Sequence, residues 1–142
     1  MRTALDTNVL AYAEGVNGEV RQKVARQVIF GLSAEDVLVP VQVLGELYNV
    51  LRRKAGRSAE QARLATASWR DAFATIPTTV EIMDAAMQLA AQHHLGIWDS
   101  VITAAAAGAG CRTLLSEDLQ DGFDWRGIVV VNPFATVPRR PG

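Results

Sequence analysis

Short apolar runs rich in β-branched residues alternate along this chain with longer stretches whose apolar residues recur at helical spacing. Four runs predict buried strands, at residues 3–5, 37–39, 112–115 and 128–131. The stretches between them repeat apolar residues every three or four positions, as in the series Val20, Val24 and Val28, and predict helices. Helices that separate short buried strands are typical of an α/β fold with a central short parallel sheet flanked by helices on both faces.

Capping signals set the expected helix boundaries. Ser58 with Gln61, and Thr78 with Glu81, each fit a capping box at the start of a helix. The predicted helices cover about residues 9–13, 18–33, 41–54, 58–74, 78–94 and 101–107. Ile76 and Pro77 are expected to form a short extended link.

The helix predicted from Val41 to Lys54 carries a carboxylate opposite its apolar face. At 100° per residue its apolar side chains share one arc, formed by Val41, Leu44, Leu47, Tyr48 and Leu51. Glu46 lies about 150° from the centre of that arc. It belongs either to an ordinary solvated face or to a functional site.

Four acidic residues occupy comparable positions near the predicted strand ends. Asp6 follows the first strand, Glu46 lies on the helix after the second, Asp99 lies in the first turn of the helix before the third, and Asp118 follows the third. Each has an ordinary structural explanation alone, and Asp6 could simply be a helix N-cap. Because the carboxyl ends of parallel strands meet at one edge, we expect the four carboxylates to lie together.

Crowded carboxylates raise one another's pKa unless a cation neutralises them. Oxygen ligands of this kind suit Mg²⁺ or Mn²⁺. Such an ion activates water and stabilises charge on an attacked phosphate, so the four acids indicate metal-dependent phosphodiester hydrolysis.

Composition adds constraints on partners and compartment. The 142 residues are 49% hydrophobic and 20% charged, with a formal net charge of -1, so phosphates must be handled by a local basic patch or a metal rather than by a strong global field. Cys111 is the only cysteine, which excludes an internal disulfide and favours a reducing compartment. We expect a cytoplasmic protein without a membrane span, with one domain over residues 1–133 and a flexible tail over residues 134–142.

The chain resembles PIN-domain proteins, and at this length it is similar to the VapC-type toxins of bacterial toxin–antitoxin modules. Four segments in order carry the resemblance: Leu5-Asp6-Thr7-Asn8-Val9-Leu10, Gly45-Glu46-Leu47, Trp98-Asp99-Ser100 and Leu115-Ser116-Glu117-Asp118. The resemblance implies a PIN-like fold and a single-strand RNA endonuclease that uses Mg²⁺ or Mn²⁺. It also implies a small antitoxin partner and a homodimer.

The resemblance implies catalytic and metal-binding roles for Asp6, Glu46, Asp99 and Asp118. Asn8 and Ser116 fall on supporting positions. Glu117 and Asp121 lie in the same acidic turn as Asp118, which is preferred because of its spacing from Ser116.

A basic cluster follows Glu46 near the end of its helix and is the candidate contact for RNA phosphates. Its members are Arg52, Arg53, Lys54 and Arg57. A run of charges of this kind is more often an ordinary solvated face.

Two other classes of protein also place an Asp after a strand, but the chain lacks residues that each of them requires. A haloacid-dehalogenase-type phosphatase requires a second Asp two residues after the first, where this chain has Asn8. A receiver domain requires a lysine downstream of its phosphoacceptor Asp, and neither Lys23 nor Lys54 has a suitable position. The remaining alternatives are a PIN nuclease that is not a toxin and a catalytically weak PIN-like module that binds nucleic acid or protein.

Overall fold

The computed structural model describes residues 1–138, and the predicted α/β architecture is confirmed. The strands are β1 (Thr3–Leu5), β2 (Val37–Pro40), β3 (Ala74–Ile76), β4 (Thr113–Leu115), β5 (Asp124–Trp125) and β6 (Ile128–Val131). The helices are α1 (Thr7–Ala13), α2 (Glu19–Gly31), α3 (Val41–Arg53), α4 (Ala59–Ala72), α5 (Val80–His93) and α6 (Ile97–Gly108). A 3₁₀ turn at Ala34–Asp36 leads into β2.

The six strands form one sheet in the order β3-β2-β1-β4-β6-β5. All neighbouring strands are parallel except β5 and β6. The chain first adds β2 and β3 on one side of β1 and then places β4 and β6 on the other side. The strand order therefore reverses between β1 and β4, and α/β sheets bind ligands at the carboxyl end of such a crevice.

The register between β1 and β4 brings the first and last parts of the predicted site together. Leu5 pairs with Leu115, and the Asp6 amide donates to the Leu115 carbonyl at 3.0 Å. The next residue on each strand, Asp6 on one and Ser116 on the other, thus lies at the same edge of the sheet.

Helix α6 runs through the interior because its side chains are small. All residues from Ser100 to Ala106 are buried, and the helix contacts both β2 and β6. The hydroxyls of Ser100 and Thr103 donate to carbonyls one turn earlier, each at 2.9 Å, so their burial leaves no unpaired donor. This packing fixes the start of the helix, where Asp99 lies in the first turn as predicted.

Several predicted boundaries are wrong, and the largest error is at α6, which begins at Ile97 rather than at residue 101. Thr79, not Thr78, caps α5, because it is the Thr79 hydroxyl that accepts from the Ile82 amide at 3.2 Å. Residues 74–76 form β3 rather than the end of a helix and a link, since they pair with β2.

Strand β5 was not predicted, because two residues are too few for a recognisable pattern. It forms a hairpin with β6 through Arg126 and Gly127, whose φ angles are 49° and 85°. Positive φ at both central positions matches the twist of a two-residue hairpin.

The buried face of α3 is rotated from the predicted arc. Val43, Leu47 and Leu51 are buried, whereas Val41 and Tyr48 are exposed. Glu46 is adjacent to the buried side and is half-buried, so it does not lie on a fully solvated face.

Ordered packing continues beyond residue 133, where the domain was expected to end. Phe134 is 1% exposed, and its ring packs edge-on against Tyr12 at 5.0 Å between centroids. Of the expected tail, residues 139–142 lie outside the described residues. Within residues 1–138, no helix has both the length and the apolar character needed to cross a membrane.

Candidate acidic site at the carboxyl edge of the sheet

Asp6 is a buried carboxylate that three donors hold in place. It is 3% exposed and accepts from the Thr7 amide at 2.7 Å through Oδ1. Its Oδ2 accepts from Ser116 Oγ at 2.7 Å and from Asn8 Nδ2 at 3.4 Å. Asp6 is also the residue that caps α1, so the structural and functional explanations of this residue do not exclude each other.

Burial raises the pKa of Asp6 to about 7. The hydrogen bonds from Ser116 and Thr7 act in the opposite direction because they favour the ionised form, and the charges of Asp118 and Asp99 raise the pKa further. The last two contributions indicate that these acids lie near enough to Asp6 to repel its charge.

Glu46 and Asp99 belong to the same electrostatic group. Burial is the main cause that raises the pKa of each carboxyl, and the charge of Asp118 raises both further. The Glu46 pKa is also raised by Asp99 and lowered by Gln42, whose Nε2 donates to Glu46 Oε2 at 3.0 Å. The four acids predicted from the sequence are therefore brought together, and each takes part in at least one of these charge interactions.

Ser116 and Asn8 organise the turn that carries Asp118. Ser116 Oγ accepts from the amides of Asp118 at 3.2 Å and Leu119 at 3.3 Å while it donates to Asp6. Asn8 Oδ1 accepts from the Glu117 amide at 3.1 Å. Both residues predicted to be supporting thus connect Asp6 with the acidic turn.

The three acids of that turn have different surroundings. Glu117 is bonded to Tyr12 and Arg21, and Asp121 Oδ1 accepts from the Asn132 amide at 2.9 Å. Asp118 is exposed and lines a cavity together with Glu46.

This cavity, called here the acidic cavity, has a volume of about 160 Å³. It is lined by Thr7, Asn8, Ala11, Tyr12, Val16, Asn17, Glu46, Val50, Lys54 and Asp118. Thr7 Oγ1 is buried and makes no hydrogen bond of ordinary geometry within residues 1–138, but it lies near enough to Glu46 to lower the pKa of that carboxyl. The lining therefore contains two carboxylates, the Lys54 side chain and a buried hydroxyl next to Glu46.

The acids fit a divalent cation in chemistry, but they do not form a ready-made metal site. Their oxygen atoms are donors that Mg²⁺ and Mn²⁺ prefer. Burial is the main cause of the raised pKa values, and the repulsion between the acids, which a cation would offset, raises them further. In the part of the chain that the structure describes, no three His, Cys, Asp or Glu side chains are grouped so that they could hold a metal ion.

The predicted basic cluster divides into two parts. Arg57 is bound to Glu14, with Nη1 to Oε1 at 2.6 Å and Nη2 to the carbonyl at 2.9 Å. Lys54 lines the acidic cavity, and Arg52 and Arg53 are exposed on the same helix end. Arg57 thus has a structural partner, whereas Lys54 lies beside the acids.

Comparison with known families places the fold. The family model described as PIN domain matches residues 3–123. The chain belongs to the PIN domain family. Membership of this family indicates nuclease, and therefore hydrolase, activity in general. No curated protein sequence matches the chain.

Solved structures of toxin–antitoxin proteins share the fold of this PIN domain. A toxin–antitoxin complex from Klebsiella pneumoniae is 18% identical with a TM-score of 0.71, covering 92% of this chain and 97% of that one. VapC20 of Mycobacterium tuberculosis, a toxin that cleaves the sarcin-ricin loop, is 20% identical with a TM-score of 0.67, covering 79% and 86%. DNA-bound VapBC from Salmonella typhimurium is 15% identical with a TM-score of 0.69, covering 92% and 96%. The predicted resemblance to VapC-type PIN domains is confirmed at the level of the fold.

Sequence reasoning missed Tyr12 and Arg21, which contact the acidic turn. Tyr12 lies four residues after Asn8 and thus on the same face of α1, which is a signal that was available. Arg21 gives no comparable signal, because its contact with Glu117 spans 96 positions of the chain.

Proposed function

We propose that this PIN domain is a metal-dependent endoribonuclease that hydrolyses RNA phosphodiester bonds and acts as the toxin of a type II toxin–antitoxin pair. The observation that carries the proposal is the gathering of four carboxylates at the edge where the strand order reverses. Ser116 connects Asp6 with the turn of Asp118, Asp118 shares a cavity with Glu46, and Asp99 lies near enough to raise the pKa of Asp6 and Glu46.

Asp6, Glu46, Asp99 and Asp118 are the residues that we assign to catalysis and to holding Mg²⁺ or Mn²⁺. Their charges repel one another in the free protein, and a bound cation relieves that repulsion. When bound, such an ion supplies an activated water and neutralises charge on the attacked phosphate.

The chain's own residues prepare this site by fixing Asp6. With a pKa of about 7, the Asp6 carboxyl is partly protonated at neutral pH in the free protein and must lose that proton to act as an anionic ligand. The Ser116 hydroxyl and the Thr7 amide favour the ionised form and fix the direction of the carboxylate.

RNA is expected to approach along the end of α3. Lys54 lines the acidic cavity, so its ammonium can meet a phosphate next to the acids, and Arg52 and Arg53 extend the positive charge. Such contacts give affinity without sequence choice. We leave Arg57 out of this surface because Glu14 holds its guanidinium.

The decisive experiment measures cleavage and metal binding together. Purified protein is freed of metal with EDTA and incubated with structured RNAs, with and without Mg²⁺ or Mn²⁺, and metal binding is measured by calorimetry. Cleavage is expected only with metal and is expected to be lost in Asp6→Asn and Asp99→Asn. Asp84→Asn, an exposed acid on α5, is the matched control and should retain activity.

Two results would count against the proposal. Metal-dependent cleavage that survives both substitutions would refute the site assignment. Absence of both cleavage and metal binding would favour the PIN-like binding module instead.

The toxin role is supported by the fold, which is shared with proteins from toxin–antitoxin complexes. We propose a cytoplasmic homodimer that a small antitoxin inhibits. Expression of the protein alone should slow growth, and coexpression of the protein encoded by the adjacent reading frame should restore it. If cells grew normally while expressing protein that cleaves RNA in vitro, the result would favour a PIN nuclease that is not a toxin.

A further inference from the structure

Glu117 is held at both its backbone amide and its carboxylate. Asn8 and Tyr12 lie one turn apart on α1, and Asn8 Oδ1 accepts from the Glu117 amide at 3.1 Å. The Tyr12 hydroxyl donates to Glu117 Oε1 at 2.6 Å. Arg21 Nη2, from α2, donates to the other carboxylate oxygen at 3.2 Å. These four residues are called here the Glu117 anchor.

The Glu117 anchor is shielded from water. The side chains of Arg21 and Glu117 are 8% and 18% exposed, and the Arg21 guanidinium lies 5.6 Å from the centre of the Tyr12 ring. Burial, with the Glu117 carboxylate beside it, raises the pKa of Tyr12 to about 12, so the hydroxyl remains a donor. Two buried charges of opposite sign stay together because either one alone would be left without compensation.

Because Glu117 is adjacent to Asp118 in the chain, the Glu117 anchor also affects where Asp118 lies. Glu117 stands between Ser116, which donates to Asp6, and Asp118, which lines the acidic cavity. The Asp118 side chain is exposed, and its amide donates to Ser116 Oγ. The anchor therefore fixes the peptide from which the Asp118 side chain extends.

We propose that Glu117 is not a metal ligand but an anchor, and that Tyr12 and Arg21 are positioning residues that hold Asp118 at the acidic site. This inference rests on the proposed function for the role of Asp118. If Arg21 and Glu117 only stabilised the fold, a variant that removes both charges together would bind the metal as tightly as the unmodified protein.

The test separates position from stability by removing both charges. Arg21→Met combined with Glu117→Leu leaves no unpaired buried charge, and Tyr12→Phe removes only the hydroxyl. For each protein we would measure the melting temperature, the hydrogen exchange of the amides at positions 117 and 118, and the affinity for Mn²⁺ alone by calorimetry. In the double variant the Tyr12 hydroxyl loses its acceptor, so we expect a modestly lower melting temperature. We also expect faster exchange at both amides, and Mn²⁺ affinity weakened about 10- to 100-fold.

Glu14→Gln is the matched control because it weakens another partly buried ion pair, between Arg57 and Glu14. It should lower the melting temperature and leave both Mn²⁺ affinity and exchange at positions 117 and 118 unchanged. The inference would be overturned if the double variant kept the hydrogen exchange at positions 117 and 118 and the Mn²⁺ affinity of the unmodified protein. It would also be overturned if Mn²⁺ affinity fell in proportion to the melting temperature in every variant, including Glu14→Gln. If the unmodified protein binds no Mn²⁺, the proposed function fails, and exchange alone decides: faster exchange supports the anchor and unchanged exchange refutes it.

Discussion

Ser116 Oγ lies 2.7 Å from Asp6 Oδ2, although the two residues are 110 positions apart in the chain. The parallel pairing of Leu5 with Leu115 makes this contact possible, because the residue after each strand end then lies at the same edge. The same hydroxyl accepts from the amides of Asp118 and Leu119. One buried hydroxyl thus connects the first acid of the site with the turn that carries the last.

Ser116→Ala is therefore expected to destabilise the protein. The change removes one of the three donors to the Asp6 carboxylate and leaves two amides of the turn without an acceptor, which costs about 1–3 kcal/mol. Denaturation by urea, monitored by circular dichroism, measures the effect. Ser116→Thr keeps the hydroxyl and should lose less stability, and equal stability of the Ala variant and the unmodified protein would contradict this account.

The parts of the fold that could be predicted are those governed by local patterns. The β-branched runs predicted four strands, and the positions of Asp6 and Asp118 relative to those strands followed directly. The capping box at Ser58 was correct because both of its hydrogen bonds lie within four residues. The cap of α5 was wrong by one residue because Thr78 and Thr79 are chemically identical, and only the backbone decides between them.

What could not be predicted depends on contacts between distant segments. The prediction of which face of α3 is buried was wrong, because packing against the rest of the protein, rather than the apolar arc alone, decides which side is buried. The contacts of Arg21 with Glu117 and of Arg57 with Glu14 join residues 96 and 43 positions apart. No local pattern marks such pairs, so the sequence alone could not show that Arg57 is paired with Glu14 while Lys54 lies beside the acids.

The stability of the metal-free protein should decrease as the pH rises through the pKa of Asp6. Burial raises this pKa from 3.8 to about 7, so the folded protein holds the proton more tightly than the unfolded chain does. Stability that is fully present below pH 3.8 is then lost as the pH rises through 7. Between pH 5 and pH 7 the expected loss from this group is about 2 kcal/mol.

Asp6→Asn isolates this contribution, because Glu46 and Asp99 also have raised pKa values and act in the same direction. Urea denaturation in EDTA should give a smaller loss of stability between pH 5 and pH 7 for the variant than for the unmodified protein. Parallel pH profiles for the two proteins would mean that Asp6 does not titrate in this range.

Arg57→Met should destabilise the protein. Its guanidinium makes two hydrogen bonds to Glu14, and the other carboxylate oxygen of Glu14 accepts from Trp69 Nε1 at 2.9 Å. Loss of these bonds leaves a partly buried carboxylate with one donor and is expected to cost about 1–3 kcal/mol. Thermal denaturation would detect it as a lower melting temperature. Arg53→Met, a change of the same kind at an exposed side chain, should leave the melting temperature nearly unchanged.

Lys54→Met should weaken RNA binding and make it less sensitive to salt. Lys54 lines the acidic cavity with Glu46 and Asp118, so a phosphate bound by its ammonium lies close to the acids. Loss of one phosphate contact lowers the slope of log affinity against log salt by about one. The slope can be measured in EDTA by fluorescence anisotropy with a labelled single-stranded RNA of mixed sequence. Lys23→Met removes the same charge from an exposed position on α2 and should leave the slope unchanged. Equal slopes for the two variants would show that Lys54 contributes only to net charge.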